Sequence, residues 1–493
     1  MERSAVKNTF PKRPILGSAC AILLLASLSF CGCRWMRAAD RAKDEVAALA
    51  TGQEAEFCVP GHLKGAPLSE LVDFALETRP EVASAILSVE DARLALLQIA
   101  ADAPLFGRNG LSANSLEVGL SVSRNASSAA ADSVGDLKWR THGSASAALS
   151  LDLLLWDAGR NDARASAQVE RVIAAEMQLL STRYSVFLDV SKAYFDLLEK
   201  RALLCVSLTN ETVHAVHLEQ AESRLEAGEA NRLDVLRARL DAAKAREAVV
   251  NASNEVLVCE AKMLFSLGLD SSRCSCDEVI GAGTNALDFV TMGISPSTEG
   301  MDEMFALART NSPALALSRA RLRAAMADVD FAKADLLPSV SASASLNWTD
   351  PKWLWKWGLS GVWSLFEGFG KTRALERAVT AMRSAAADTE RAEQSLSSDL
   401  EIALCTRDNA TEAMKSAGDS YERAKENMRQ VSEMFAIGEA NRVDFTTAAA
   451  DCAEALGSRI SAFYAGQRAE AAISALVGEV PRFEAKTLKE DEL

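Results

Sequence analysis

The chain has 493 residues, 49% of them hydrophobic and 25% charged, with a formal net charge of -15. That length holds several domains or one extended repeated architecture, and the acidic balance argues against nucleic acid as a partner. Only 11 prolines occur, and none lies between Leu105 and Ser295, which favours long uninterrupted helices.

Residues 1–33 read as an export signal. Lys7, Lys12 and Arg13 supply a positive start, and Ile15 to Phe30 is an apolar stretch of signal-peptide length, shorter than a membrane span. The stretch ends in Cys31-Gly32-Cys33. A lipoprotein signal is cut before a cysteine that follows a small residue. Cys33 after Gly32 meets that requirement and is the candidate lipidation site, where palmitate would be carried; Cys31 follows bulky Phe30. The Phe30-Cys31 pair departs from the usual Leu-small pair, and a plain signal peptide with incidental cysteines accounts for the same residues. Residues 34–67 form an N-terminal extension. No later segment offers about 18 consecutive apolar residues, so a membrane crossing by the mature chain has to use a closed barrel.

The rest of the chain is a tandem repeat. Gly228-Glu229-Ala230-Asn231-Arg232-Leu233-Asp234 recurs as Gly438-Glu439-Ala440-Asn441-Arg442-Val443-Asp444. Ahead of each copy, Leu155-Trp156-Asp157-Ala158-Gly159-Arg160 matches Leu365-Phe366-Glu367-Gly368-Phe369-Gly370-Lys371 with one inserted residue. Ala75-Leu76-Glu77-Thr78-Arg79-Pro80 opens one half and Ala308-Arg309-Thr310-Asn311-Ser312-Pro313 the other. Matching features in the same order mark two copies of one supersecondary unit, at residues 68–268 and 301–478.

Each unit begins with a helix, expected over Leu68 to Ala103 and over Met301 to Leu336, ending near Pro104 and Pro338. Strict alternation follows. Leu116, Val118, Leu120 and Val122 alternate with small or polar residues, as do Leu149, Leu151, Leu153 and Leu155. The connection between these two strands is expected over Asn125 to Gly143. In the second unit Val340, Ala342, Ala344, Leu346 and Trp348 alternate with Ser339, Ser341, Ser343, Ser345 and Asn347. After a turn at Thr349-Asp350-Pro351, the pattern resumes with Trp357, Leu359, Trp363 and Leu365. Period two with one apolar face predicts strands. A length of about ten residues suits a tilted membrane strand. Trp353, Trp355 and Trp357 cluster as an interfacial aromatic belt would. A soluble sandwich with one buried face has the same pattern. Four strands alone leave two open edges, which oligomerisation would close.

A long helix then runs from Asn161 to Ala227 without Gly or Pro, and another from Lys371 to Ile437 interrupted only by Gly418. Each is long enough to span about 100 Å. Val190, Leu197 and Leu204, with Val186 and Ala193 between them, form a coiled-coil-like seam. Each long helix stops at the repeated glycine, Gly228 or Gly438, which accepts a left-handed conformation. Asn231 and Asn441 can cap returning helices to Leu267 and Leu476, with Asp234 and Asp444 as N-terminal acids. Residues 269–300 form a polar linker holding Cys274 and Cys276, whose pairing is not readable, and residues 479–493 a charged tail.

Catalytic patterns are missing from the sequence. It shows no GxxxxGK[ST] loop, no HExxH, no nucleophile elbow and no Rossmann glycine pattern. The ten cysteines and four histidines show no zinc spacing. His142, His214 and His217 are expected at surface helix positions. An enzyme, a cofactor and a resident metal are therefore not expected.

The duplicated strand-to-helix turn (Trp156 to Arg160; Phe366 to Lys371) and the duplicated tip (Arg224-Leu225-Glu226-Ala227-Gly228; Phe435-Ala436-Ile437-Gly438) resemble the outer-membrane efflux proteins of the TolC-like type. The resemblance covers essentially the whole mature chain. It implies a mainly α fold with a membrane β-barrel portion. Long α-helical hairpins would build a coiled-coil tunnel, and four β-strands per chain would contribute to a trimeric twelve-stranded barrel. It implies a homotrimer in the outer membrane of a diderm bacterium, in contact with outer-membrane lipid. A periplasmic adaptor and an inner-membrane transporter would engage the periplasmic end. Carried over residue by residue, it nominates Arg224, Leu225, Ala227, Gly228, Phe435, Ile437 and Gly438 as adaptor contacts. It nominates Asp444 as an acidic position of a periplasmic gate. A turn later, where the family often has a second acid, this chain has Thr447. Asp157, Gly159, Glu367 and Gly370 carry the strand-to-helix turns. Asp234 and Asp444 are also explained as helix-start acids alone. The implied activity is passive conduction of exported substrates, powered elsewhere. A periplasmic lipid-anchored coiled-coil adaptor or scaffold shares the anchor and hairpins, but does not need four strands and a tryptophan cluster.

Overall fold

Two short helices stand where one was expected at the start of each unit. In the computed structural model, which describes residues 43, 68–101, 115–128, 139–228, 231–269, 301–349, 352–437 and 439–478, α1 is Leu68–Thr78 and α2 is Pro80–Ala101. The second unit repeats this as α5 (Met301–Asn311) and α6 (Pro313–Ala334). Pro sits at the first position of α2 and α6, where its missing N–H costs nothing. Its ring drives the preceding residue out of the helical region. Ser312 accordingly adopts φ -60, ψ 118. The breaks are single residues: Arg79 N donates to Ala75 O at 3.0 Å, and Ala83 N donates back to Arg79 O at 3.3 Å. The Cys33 and Cys274/Cys276 assignments, the linker beyond Leu269 and the charged tail lie outside the described residues.

The strands form one antiparallel sheet in the order β1 (Ser115–Ser128), β2 (Trp139–Trp156), β3 (Ser339–Thr349), β4 (Lys352–Val362). The first hairpin differs from expectation. Ser128 pairs with Trp139 and Asn125 with His142, so the connection shrinks from Asn125–Gly143 to residues 129–138. Backbone pairing does not need apolar alternation, and the sequence pattern therefore under-read these strands. β4 also begins earlier than expected and ends at Val362, leaving Trp363 and Leu365 beyond it. Trp363 Nε1 instead donates to Leu336 O at 3.2 Å, beside the end of α6.

The two units join at the β2–β3 ladder, where Leu149 pairs with Leu346 and Leu151 with Ala344. A register shift between Leu154 and Trp156 bends β2 as it leaves the sheet. β3 and β4 have two unlike faces. Ala342, Ala344, Leu346 and Trp348 lie opposite Leu359, Trp357, Trp355 and Trp353, and the other face carries Ser341, Ser343 and Ser345 opposite Ser360, Gly358 and Lys356. Ser341 Oγ and Ser360 Oγ lie 2.9 Å apart. Within the described sheet β1 and β4 are the edges. The apolar face of β4 is uncovered, with Trp357 76% exposed.

α3 (Arg160–Glu226) and α7 (Gly370–Ala436) each run 67 residues, and α4 (Arg232–Ser266) and α8 (Arg442–Val477) return beside them. At about 1.5 Å per residue the long helices approach 100 Å. The expected seam of α3 is buried at Val186, Val190 and Leu197, while Leu204 is half-buried. Alanines dominate the α3–α4 contact (Ala221, Ala238, Ala242, Ala245), letting the two backbones approach closely. One apolar cluster gathers Met304 and Ala308 of α5, Leu315 of α6, Leu400 and Leu404 of α7, and Ile473 and Val477 of α8. Leu400 is fully buried there. Leu400→Ala is expected to cost about 2–5 kcal/mol, as a cavity in a core that cannot collapse, and denaturant melts of the purified chain measure it. Gly418 lies inside α7 with open space around its missing Cβ. Gly418→Ala is expected to stabilise by about 0.5–1 kcal/mol in the same melts, because a helix interior taxes glycine's freedom.

Candidate functional site

The strand-to-helix turns are built by local chemistry. Asp157 is buried, and its carboxylate accepts from Gly159 N at 3.1 Å and from Asn161 N at 2.7 Å. Ala158 and Gly159 take left-handed φ values of 58 and 81. In the second unit Gly368 and Phe369 do so at 59 and 64, and Gly370 N donates to Glu367 O at 3.1 Å as Arg160 N does to Asp157 O. Asp157 to Arg160 therefore superpose in role on Glu367 to Gly370 with no insertion. This corrects the sequence alignment, which paired Gly159 with Gly370. Gly370 is the first residue of α7, and a phenylalanine holds the left-handed position at a backbone cost of about 1–2 kcal/mol. Asp157→Ala is expected to destabilise by about 2–3 kcal/mol, since it strands two amide donors at a buried helix start; a thermal melt reads it.

Both turns are tied to one acid that sequence reasoning missed. Arg160 Nη1 donates to Asp335 Oδ1 at 2.9 Å, and Lys371 Nζ donates to the Asp335 carbonyl at 2.9 Å. Asp335 caps the C-terminus of α6. Its partners are remote in sequence, and no local pattern marks it.

At the first tip, α3 ends at Ala227 and Gly228 turns left-handed at φ 78, its N–H donating to Leu225 O at 3.0 Å. Asn231 then caps α4, its side chain accepting from Leu233 N at 3.4 Å. At the second tip the cap is reciprocal. Asn441 Oδ1 accepts from Val443 N at 3.2 Å, and Asp444 Oδ2 accepts from Asn441 N at 3.2 Å. The Asp444 carboxylate thus serves the start of α8 while remaining exposed, and Thr447 is exposed one turn on. Arg224, Leu225, Ala227 and Gly228 are exposed, as is Ile437 at 71%. Gly438 lies outside the described residues.

Phe435 has a different setting. Its ring stacks with His217 at 5.4 Å and with Phe445 at 5.2 Å, and His217 stacks with Phe445 at 5.4 Å. Arg224 lies 5.0 Å from the centre of the Phe435 ring. His217 is 4% exposed, which corrects its expected surface position. It sits on the face of α3 that meets α7 and α8. The cluster therefore fastens the first hairpin to the second just inside the tips. His214, one turn earlier, has its pKa lowered by burial, partly opposed by Asp241.

Higher on the same interface, Arg468 of α8 donates at 2.6 Å to both Asp196 and Glu199 of α3, and Ser461 donates to Glu199 at 2.8 Å. Burial first, then Tyr194 and Glu199, push the Tyr464 phenol up to about 12. Among the described residues no group of three or more His, Cys, Asp or Glu is placed to hold a metal ion.

A four-stranded antiparallel sheet, whose β3–β4 half has one apolar and one serine-rich face, is carried on two long helical hairpins. The sequence model "Outer membrane efflux protein" matches residues 71–269 and 305–479. The chain belongs to that family. Among solved structures it resembles the Campylobacter jejuni CmeC outer membrane channel, with 16% identity over 86% of this chain and 93% of that one, at a TM-score of 0.70. It also resembles the outer membrane protein VceC of Vibrio cholerae, with 16% identity, coverage of 83% and 96% and a TM-score of 0.68. The open state of the Neisseria gonorrhoeae MtrE outer membrane channel shares 18% identity, with coverage of 84% and 89% and a TM-score of 0.67. No curated protein matches the sequence.

Proposed function

We propose that three copies of this chain close their sheets into one twelve-stranded barrel and conduct exported substrates passively across the outer membrane. The observation that carries this reading is the open four-stranded sheet. Its free edges β1 and β4 need partners, its tryptophan face suits lipid and its serine face suits water. The helical hairpins continue the path into the periplasm. The exposed tip residues Arg224, Leu225, Ala227, Gly228 and Ile437, together with Gly438, meet a periplasmic adaptor that couples the channel to an inner-membrane transporter. Phe435 acts in holding the hairpins together, through its ring contacts. Asp444 and Thr447 line the narrow end, Asp444 doing so while it caps α8. Cys33 carries the lipid anchor; palmitate labelling of the mature protein should disappear in Cys33→Ser.

The experiment is detergent extraction of outer-membrane fractions followed by mass determination and planar-bilayer recording. A trimer that stays in the membrane until detergent is added, and that conducts, supports the reading. A monomer released without detergent ends it.

A further inference from the structure

Between α3, α7 and α8 lies a cavity of about 330 Å³ that neither the tips nor the sheet accounts for. Its walls are almost wholly apolar, and no charged side chain lines it. The polar groups are few: Thr209 and Asn210 of α3 and the Tyr421 hydroxyl of α7. Met428 contributes a polarizable thioether, and Cys205 and Cys452 bring free thiols from α3 and α8. The Tyr421 ring is pinned from outside by Arg459 at 5.6 Å and Lys425 at 5.9 Å.

The cavity is a half-open groove: Cys205 and Thr209 are exposed, while Ala202, Ala449 and Ile460 are buried. An apolar space of about 150 Å³ is enough for benzene. Twice that volume takes two or three fused or linked rings, at the lower end of the size range of small-molecule sites. The uncharged lining selects a neutral ligand, and the few polar groups offer it a hydrogen bond. A thioether beside an aromatic ring is favourable.

We propose that this cavity is a binding site for a neutral, lipophilic aromatic molecule of two or three rings bearing one hydrogen-bonding group.

The test uses the full-length protein in outer-membrane vesicles, with 2-naphthol as the probe. Modification by N-ethylmaleimide is followed at single cysteines by peptide mass spectrometry. The exposed Cys205 and the half-buried Cys452 report on the groove, and Cys405, exposed and outside its lining, is the internal reference. The expected result is a saturable slowing at Cys205 and Cys452, about fivefold at a probe concentration near four times its Kd, with no change at Cys405. Ala453→Phe, which fills the cavity, should abolish the protection; Ala453→Leu does the same should the larger residue prevent insertion. Equilibrium dialysis of the protein in nanodiscs should count about one naphthol per chain in the wild type and none in the filled variant. Equal slowing at all three thiols would mean only that the probe partitions into lipid. That outcome, no slowing at aqueous saturation, or protection that survives cavity filling each overturns the proposal.

Discussion

Phe435→Ala combined with Phe445→Ala is expected to raise the open probability of the reconstituted channel by roughly 100-fold. The three ring contacts among His217, Phe435 and Phe445 and the Arg224 guanidinium over Phe435 join α3 to the second hairpin. At about 0.5–1.5 kcal/mol per aromatic pair and about 0.5–1 for the cation, they contribute roughly 2–5 kcal/mol per chain. Separating the hairpins loses all of it, and truncating two rings loses most of it in advance. A loss of about 3 kcal/mol shifts a two-state equilibrium by roughly two powers of ten. His217→Ala should give a smaller increase, because the Phe435–Phe445 contact survives. Single-channel recording reads both. An unchanged open probability in the double variant, with the trimer intact, would assign the closure elsewhere and leave the aromatic cluster as ordinary packing.

The second large effect is expected at Arg468→Ala. Arg468 is the hydrogen-bonded cation shared by Asp196 and Glu199, and the Glu199 side chain is only 11% exposed. Removing one partner of a buried pair leaves an uncompensated charge, at a cost of about 3–5 kcal/mol. Asp196 is far more exposed and contributes little to that figure. The loss should appear as a lower denaturation midpoint. Arg468→Ala with Glu199→Gln should recover most of it, because the stranded charge is gone. If the double variant is no more stable than the single one, the penalty comes from lost packing of the arginine stem instead.

The remote positions behave differently from the local ones, and the difference explains what could be read in advance. The turns at Gly228 and Asn231, and the cap at Asn441 and Asp444, rest on interactions within a few residues, so the sequence announces them. The breaks at Arg79 and Ser312 are equally local. A proline follows each break, and the single helix expected over Leu68 to Ala103 and over Met301 to Leu336 runs past that local signal. The insertion assumed between Gly159 and Gly370 failed for another reason. The second turn has Phe369 at the left-handed position, φ 64, where the first has Gly159, so glycine identity does not mark the correspondence.

By itself the sequence determined the duplication, the long hairpins with their stops and caps, the alternation that makes a two-faced sheet, and the family. The hairpins, caps and alternation follow from periodicity and from side chains acting on neighbouring backbone; the duplication follows from recurring motifs, and the family is what those motifs resemble. Only the tertiary structure decided that His217 stacks with both Phe435 and Phe445, that Arg160 and Lys371 converge on Asp335, that Arg468 bridges two acids of α3, and that an apolar groove opens beside Tyr421. Most of those partners are more than a hundred residues apart. Which of them meet depends on the rotation and register of one long helix against another, and that is settled by the summed packing of the whole interface, with no short segment encoding it.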